Sequence, residues 1–138
     1  MNRSFFITAA FAILAIAPQA ADAQNLGWSP TGENSGGSGT WDTSSMDWFD
    51  GTVTLPWDNA RGFSANFGGA AGTVTVAPPI IVQDITFATD GYTITGGTLT
   101  FFGASGARST ISANSGVTGT IGSVLAGVAG LEKPAWAR

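Results

Sequence analysis

Residues 90–101 read DGYTITGGTLTF and contain two four-residue runs, 92–95 and 98–101, joined by Gly96 and Gly97. In each run apolar side chains alternate with threonines, which is the pattern of a half-buried β-strand. A Gly-Gly link between two such runs is typical of a tight hairpin turn. The same link also suits a corner in a chain that keeps coiling in one direction, so both arrangements remain open on this stretch alone.

Short alternating runs of the same kind recur through the second half of the chain, as TVTV (73–76), DITF (84–87) and STIS (109–112). The chain after residue 23 has no sustained helical period, and β-branched residues dominate these runs, so the sequence predicts an all-β fold. The apolar residues of the runs form the predicted core: Val74, Val76, Ile85, Phe87, Tyr92, Ile94, Leu99 and Phe101.

The first 23 residues have the features of a secretory signal peptide. Arg3 supplies a positive start, an apolar run extends from Phe5 to Ala17, and the small-x-small pattern at 21–23 predicts cleavage between Ala23 and Gln24. The apolar run is too short to span a bilayer. We therefore expect an exported chain that is not an integral membrane protein.

Charge and residue inventory exclude several classes of function. Nine acidic and five basic residues give a net charge of −4, which argues against binding to nucleic acid or to anionic membranes. The chain has no histidine and no cysteine, so the commonest general base and the strongest nucleophile are both missing. No nucleophile elbow, phosphate loop or dinucleotide fingerprint is present. We expect a protein that is not an enzyme and uses no cofactor.

Composition divides the chain after the leader into four segments. Residues 24–40 are polar and glycine-rich and predict a flexible arm. Residues 41–71 carry six of the twelve aromatic side chains that follow the leader and predict an N-terminal cap. Residues 72–133 form the β-strand repeat region, and 134–138 form an aberrant tail.

The tryptophans admit two roles. Trp41, Trp48 and Trp57 are candidate ligand-stacking aromatics, because an exposed ring can stack on the apolar face of a sugar. Alternatively, they pack against the first strands and cover the open end of the sheets, and this is the role we favour. The first role would suit a small secreted carbohydrate-binding β-sandwich with antiparallel strands.

The acidic residues are weaker candidates for a site. Asp42, Asp47, Asp50 and Asp58 follow one another closely but match no known calcium-loop pattern, so we expect turn-forming roles and no metal. A carboxylate pair for glycoside hydrolysis, such as Asp84 with Asp90, would need a separation in space that sequence does not give.

Two stretches, TWDTSSMDWFDGTVTLPWDNARGFSANFGGAAGTVTV (40–76) and VQDITFATDGYTITGGTLTF (82–101), carry a family resemblance. Over roughly residues 40–133 the chain resembles the passengers of autotransporter-associated β-strand repeat proteins. The resemblance implies a short right-handed parallel β-helix with an aromatic-rich cap, an adhesion-related role, and display at the cell surface by a C-terminal barrel. It favours the corner at Gly96-Gly97, with the antiparallel β-sandwich as the alternative. Expected partners are surface glycans, or further copies bound through an open β-edge.

The ending GLEKPAWAR departs from that family, in which Gly-Leu-x-Lys runs on into the next strand. Deleting one nucleotide from codons for Lys-Thr-Gly-Val-Gly-Thr yields Lys-Pro-Ala-Trp-Ala-Arg, the residues found at 133–138. We therefore expect a frameshifted fragment of a longer autotransporter, which lacks its translocator barrel and stays in the periplasm.

Overall fold

The computed structural model describes residues 24–102 and 108–127, together with a short strand at 131–132. Ala23 on the leader side of the predicted cleavage position, and the tail at 134–138, lie outside the described residues. This part of the chain consists of fourteen short strands with turns between them and contains no helix. The all-β prediction is confirmed.

The strands are short throughout. In chain order they are β1 (Asn25–Trp28), β2 (Gly39–Trp41), β3 (Trp48–Phe49), β4 (Thr54–Leu55), β5 (Ser64–Phe67), β6 (Thr73–Val76), β7 (Ile80–Val82), β8 (Ile85–Phe87), β9 (Tyr92–Thr95), β10 (Thr98–Phe101), β11 (Ser109–Ala113), β12 (Gly119–Ile121), β13 (Val124–Gly127) and β14 (Leu131–Glu132).

The strands form three sheets, with the orders β14-β11-β8-β5-β1-β3-β4, β12-β9-β6-β2 and β13-β10-β7. From β5 onward every pairing in the described chain is parallel and joins a strand to the one three places later. β1 and β2 enter the same sheets through parallel pairs with β5 and β6. The antiparallel pairs all involve β3, which lies between β1 and β4.

The link at Gly96-Gly97 joins strands of two different sheets. β9 pairs with β6 and β12, whereas β10 pairs with β7 and β13, so no hairpin forms. Both glycines have positive φ angles, 71° and 51°. A Cβ on Gly97 would lie 2.7 Å from Cγ1 of Val76, so the corner needs glycine for its backbone angle and for its close approach to the preceding strand layer. The antiparallel β-sandwich alternative is therefore wrong for these strands.

The core is built from the inward positions of the parallel strands. All eight predicted core residues are at most 2% exposed, which confirms the predicted alternation. Register places like residues above one another: Val74, Ile94 and Ile121 in one sheet, and Ile80, Leu99 and Leu125 in another. Burial of such apolar surface contributes about 25 cal/mol per Å² to stability.

Residues 24–40 take part in the sheets, which differs from the flexible arm that composition predicted. β1 pairs with β5, and its inward residues Leu26 and Trp28 are fully buried. The Trp28 indole N–H donates to the carbonyl of Gly37 at 2.8 Å, which fixes the turn that follows. Two large apolar side chains in alternating positions are enough to bury this strand despite its glycine-rich surroundings.

Candidate functional site at the capped end of the sheets

Four tryptophans form a closed cluster beneath the first strands. Trp28, Trp41, Trp48 and Trp57 are each at most 1% exposed, and neighbouring ring centroids lie 4.7–5.1 Å apart at steep interplanar angles. Phe67 packs against three of these rings. The stacking role considered for Trp41, Trp48 and Trp57 does not fit this burial, because a saccharide cannot reach their faces.

The edge of β1 is covered by a small antiparallel ladder. β3 pairs with β1 so that Phe49 lies opposite Gly27, and β4 pairs with the other side of β3. Just beyond β1, the backbone N–H of Ser29 donates to the carbonyl of Asp47 at 2.7 Å. Covering a strand edge in this way blocks pairing with another chain.

The edge of β7 is satisfied by side chains instead of a strand. Ile81 accepts a hydrogen bond from the indole N–H of Trp57 at 3.0 Å, and its own N–H donates to Oδ1 of Asn59 at 2.8 Å. The Asn59 amide nitrogen also donates to the carbonyl of Pro79 at 3.1 Å. The segment after β4 therefore caps a second sheet by imitating the hydrogen bonds of a missing strand.

The opposite edge of the three sheets is different. β12, β13 and β14 are the outermost strands there, and the side chains of Val124 and Leu125 are 64% and 42% exposed. Leu99, the register partner of Leu125 one strand inward, is fully buried. The described chain thus has one covered end and one end that presents apolar side chains and strand edges.

The acidic residues near the cap form turns. Oδ1 of Asp42 accepts the backbone N–H groups of Ser44 and Ser45 at 2.8 and 2.6 Å, and the bond from Ser45 contributes most to lowering the pKa of Asp42. Burial raises the pKa of the nearby Asp47 carboxyl, with a smaller contribution from the charge of Asp42. In the described residues no three Asp, Glu, His or Cys side chains come together as a metal site.

Asp84 and Asp90 each tie one layer of strands to the next. Oδ1 of Asp84 accepts the backbone N–H of Thr110 at 2.7 Å, and its Oδ2 accepts the hydroxyl of Ser64 at 3.3 Å. Oδ1 of Asp90 accepts the backbone N–H of Thr118, also at 2.7 Å. Both carboxylates are therefore engaged in holding neighbouring strand layers together.

Comparison with known proteins relates this chain to an autotransporter adhesin. In an alignment of 104 residues that covers 71% of the chain, it is 50% identical to the protein described as adhesin BmaC autotransporter from Brucella suis biovar 1 (strain 1330). The chain is a relative of this autotransporter adhesin. It spans 3% of the adhesin's length. No protein-family profile matches the chain, and no solved structure matches it.

In this relative of an autotransporter adhesin, two polar groups that hold the capped end together were not predicted from the sequence: the Tyr92 hydroxyl and the Asn59 carboxamide. The Tyr92 hydroxyl donates to the carbonyl of Gly68 at 2.5 Å and accepts the N–H of Gly37 at 3.2 Å, and burial raises its pKa. Asn59 was not singled out at all. An asparagine in a DNAR turn gives no sign that it will bind a distant strand edge. The described residues include no helix of the length and apolar character needed to cross a bilayer.

Proposed function

We propose that this chain is a non-catalytic, adhesion-related passenger segment of an autotransporter-type surface protein, folded as a short right-handed parallel β-helix. The observation that carries the fold is the regular pairing, from β5 onward, of each strand with the strand three places later, in all three sheets. A chain that visits three sheets in turn on every coil produces this pattern. Parallel strands of one sheet are joined by right-handed connections in about 98% of cases, which supports the right-handed form.

The surroundings of the polar groups support a role without catalysis. Asp84 and Asp90, the carboxylate pair considered for hydrolysis, both accept backbone N–H groups of the next strand layer. Outward positions carry threonine and serine, as in the contact between Thr86 Oγ1 and Ser112 Oγ at 3.2 Å. A rigid stack with a hydroxyl-rich surface suits display and contact better than chemistry.

Export and partners complete the proposal. The leader before Gln24 would direct the chain out of the cytoplasm, to the periplasm on its own and to the cell surface as part of a full-length autotransporter. Its partners would be surface glycans, or other copies of the chain. The apolar side chains Val124 and Leu125 and the outer strands β12 and β13 support self-association, because uncovered strand edges pair readily.

Adhesion can be tested with microspheres that carry residues 24–138 through a C-terminal biotin tag. We expect them to bind cultured epithelial cells several-fold more than microspheres that carry albumin at the same density. Binding equal to that of the albumin control would contradict the adhesive role, provided that circular dichroism shows the coupled protein to be folded.

A further inference from the structure

The outer face of the seven-stranded sheet contains a cleft of about 330 Å³ where β3, β1 and β5 lie side by side. Phe49, Gly27 and Asn66 occupy directly opposite positions on these three strands. Strands are about 4.8 Å apart, so Phe49 and Asn66 stand about 10 Å apart on the two sides of a residue that has no side chain. The cleft is therefore a consequence of register, with an aromatic ring on one side and a carboxamide on the other.

The floor of the cleft is also specifically built. Asn34 has a positive φ of 57°, and its backbone N–H donates to Oγ of the buried Ser29 at 2.8 Å. A Cβ on Gly27 would collide with Oδ1 of Asn34, so the glycine is what allows this carboxamide to lie over β1. Asparagine tolerates the left-handed conformation better than most residues, which keeps the amide in place.

Asn66 and Asp50 also line the cleft. Oδ1 of Asn66 is buried without a hydrogen-bond partner among the described residues, so this oxygen does not face a ligand in the cleft. Oδ1 of Asp50 accepts the backbone N–H groups of Val53 and Thr52, which fixes the carboxylate at the rim and lowers its pKa, so it is ionised at neutral pH.

The chemistry of this lining selects a class of ligand. The lining includes no lysine or arginine, so it is unsuited to an anion. Carboxamides both donate and accept hydrogen bonds, a carboxylate accepts them, and an aromatic ring offers an apolar face. A pyranose ring presents hydroxyl groups together with an apolar C–H face, and the cleft volume falls within the usual range of small-ligand pockets, about 300–1,000 Å³.

We propose that this cleft binds one neutral hexose unit of a glycan, with Phe49 against its C–H face and with Asn34 and Asp50 bonded to its hydroxyls. The inference rests on the proposed adhesive function and names the ligand class for it. It places the sugar site on the outer face of the sheet, away from the buried tryptophans.

Saturation-transfer NMR with the methyl glycosides of glucose, galactose, mannose and N-acetylglucosamine tests the proposal. We expect transfer to at least one glycoside, with at least a tenfold loss of affinity in Phe49→Ala and in Asn34→Gly. Asn34→Gly suits the positive φ and removes one short side chain with its carboxamide, so it should keep the fold even where Phe49→Ala does not. Phe102→Ala, which removes an aromatic ring that is 49% exposed elsewhere, should bind like the wild type.

Absence of transfer to all four glycosides would overturn the proposal, and so would equal transfer in the wild type and in a folded Phe49→Ala or Asn34→Gly variant. This result is separable from the adhesion test. If microspheres still bind cells but no glycoside binds the protein, the adhesive function stands and the hexose site is wrong. If glycosides bind the protein but microspheres do not bind cells, the hexose site stands and the adhesive function is wrong.

Discussion

Replacing Ile94 with aspartate is expected to abolish the folded state. The Ile94 side chain is fully buried and lies in register with Val74 on one side and Ile121 on the other. The substitution loses about 1.5–3 kcal/mol of apolar burial. It also places a carboxyl group in the core, and burying a polar group without a hydrogen bond costs about 2–7 kcal/mol more. The sum is comparable to the total stability of a small domain, roughly 5–15 kcal/mol.

Thr93→Asp is the matched control, since Thr93 is the preceding residue of β9 and its side chain points outward, half-buried. We expect this variant to fold with a loss of about 1 kcal/mol, the scale of strand preferences. Circular dichroism and thermal melting distinguish the two variants. Wild-type melting of Ile94→Asp would show that the assigned inward face is wrong.

Truncating Trp48 to alanine is expected to cost about 3–5 kcal/mol, the range found for large aromatic residues in protein cores. Trp48 is fully buried and packs against Trp28, Trp41, Trp57 and Phe67, so its removal leaves a cavity that several rings line. Urea unfolding measures the change in the free energy of unfolding. A loss of less than about 1 kcal/mol, the scale of an exposed site, would contradict a cap that stabilises the sheets.

Comparing Trp48→Phe with Trp57→Phe separates the contribution of ring packing to stability from the contribution of hydrogen bonding. The Trp48 indole N–H is buried without a partner among the described residues, whereas the Trp57 indole N–H donates to the carbonyl of Ile81 on the edge of β7. Trp57→Phe leaves that acceptor unpaired, so we expect it to cost about 1–3 kcal/mol more than Trp48→Phe. Equal losses would show that the hydrogen bond from Trp57 to Ile81 contributes nothing to stability.

Much of the core was predictable because alternation is a local property of the chain. The residues of TVTV, DITF, YTIT and TLTF that were assigned inward are all buried, and the predicted burial of Trp41, Trp48 and Trp57 agrees with the structure. Each prediction needed only the two-residue period of a strand and the tendency of large apolar groups to leave water.

Strand pairing was not predictable from the same signal. Ile94 and Leu99 lie on inward faces whether β9 and β10 form a hairpin or belong to different sheets, so alternation supports both. The structure decides through strand pairing, because β9 lies between β6 and β12 whereas β10 lies between β7 and β13. Strand β1 was likewise not predictable from composition, because Leu26 and Trp28 are the only two large apolar residues in a polar, glycine-rich stretch.

The cleft proposed to bind a hexose was harder to predict from the sequence than the core. It depends on Phe49, Gly27 and Asn66 occupying one row across β3, β1 and β5. The β3–β1 pairing is antiparallel and the β1–β5 pairing is parallel. Gly27 and Asn34 look like ordinary loop residues in the sequence, and nothing local indicates that one makes room for the other. Sites of this kind become visible only when register is known.

Cysteine cross-linking tests the proposed β-helix most directly, because the chain has no cysteine of its own. Thr73 and Thr93 are paired in parallel register between β6 and β9, at a strand spacing of about 4.8 Å that falls within the range for a disulfide. A hairpin at Gly96-Gly97 would instead set Thr93 opposite Thr100. After mild oxidation we expect mass spectrometry to find a disulfide in Thr73→Cys/Thr93→Cys and free thiols in Thr93→Cys/Thr100→Cys. The opposite result, with the bond formed only between positions 93 and 100, would contradict the parallel coil.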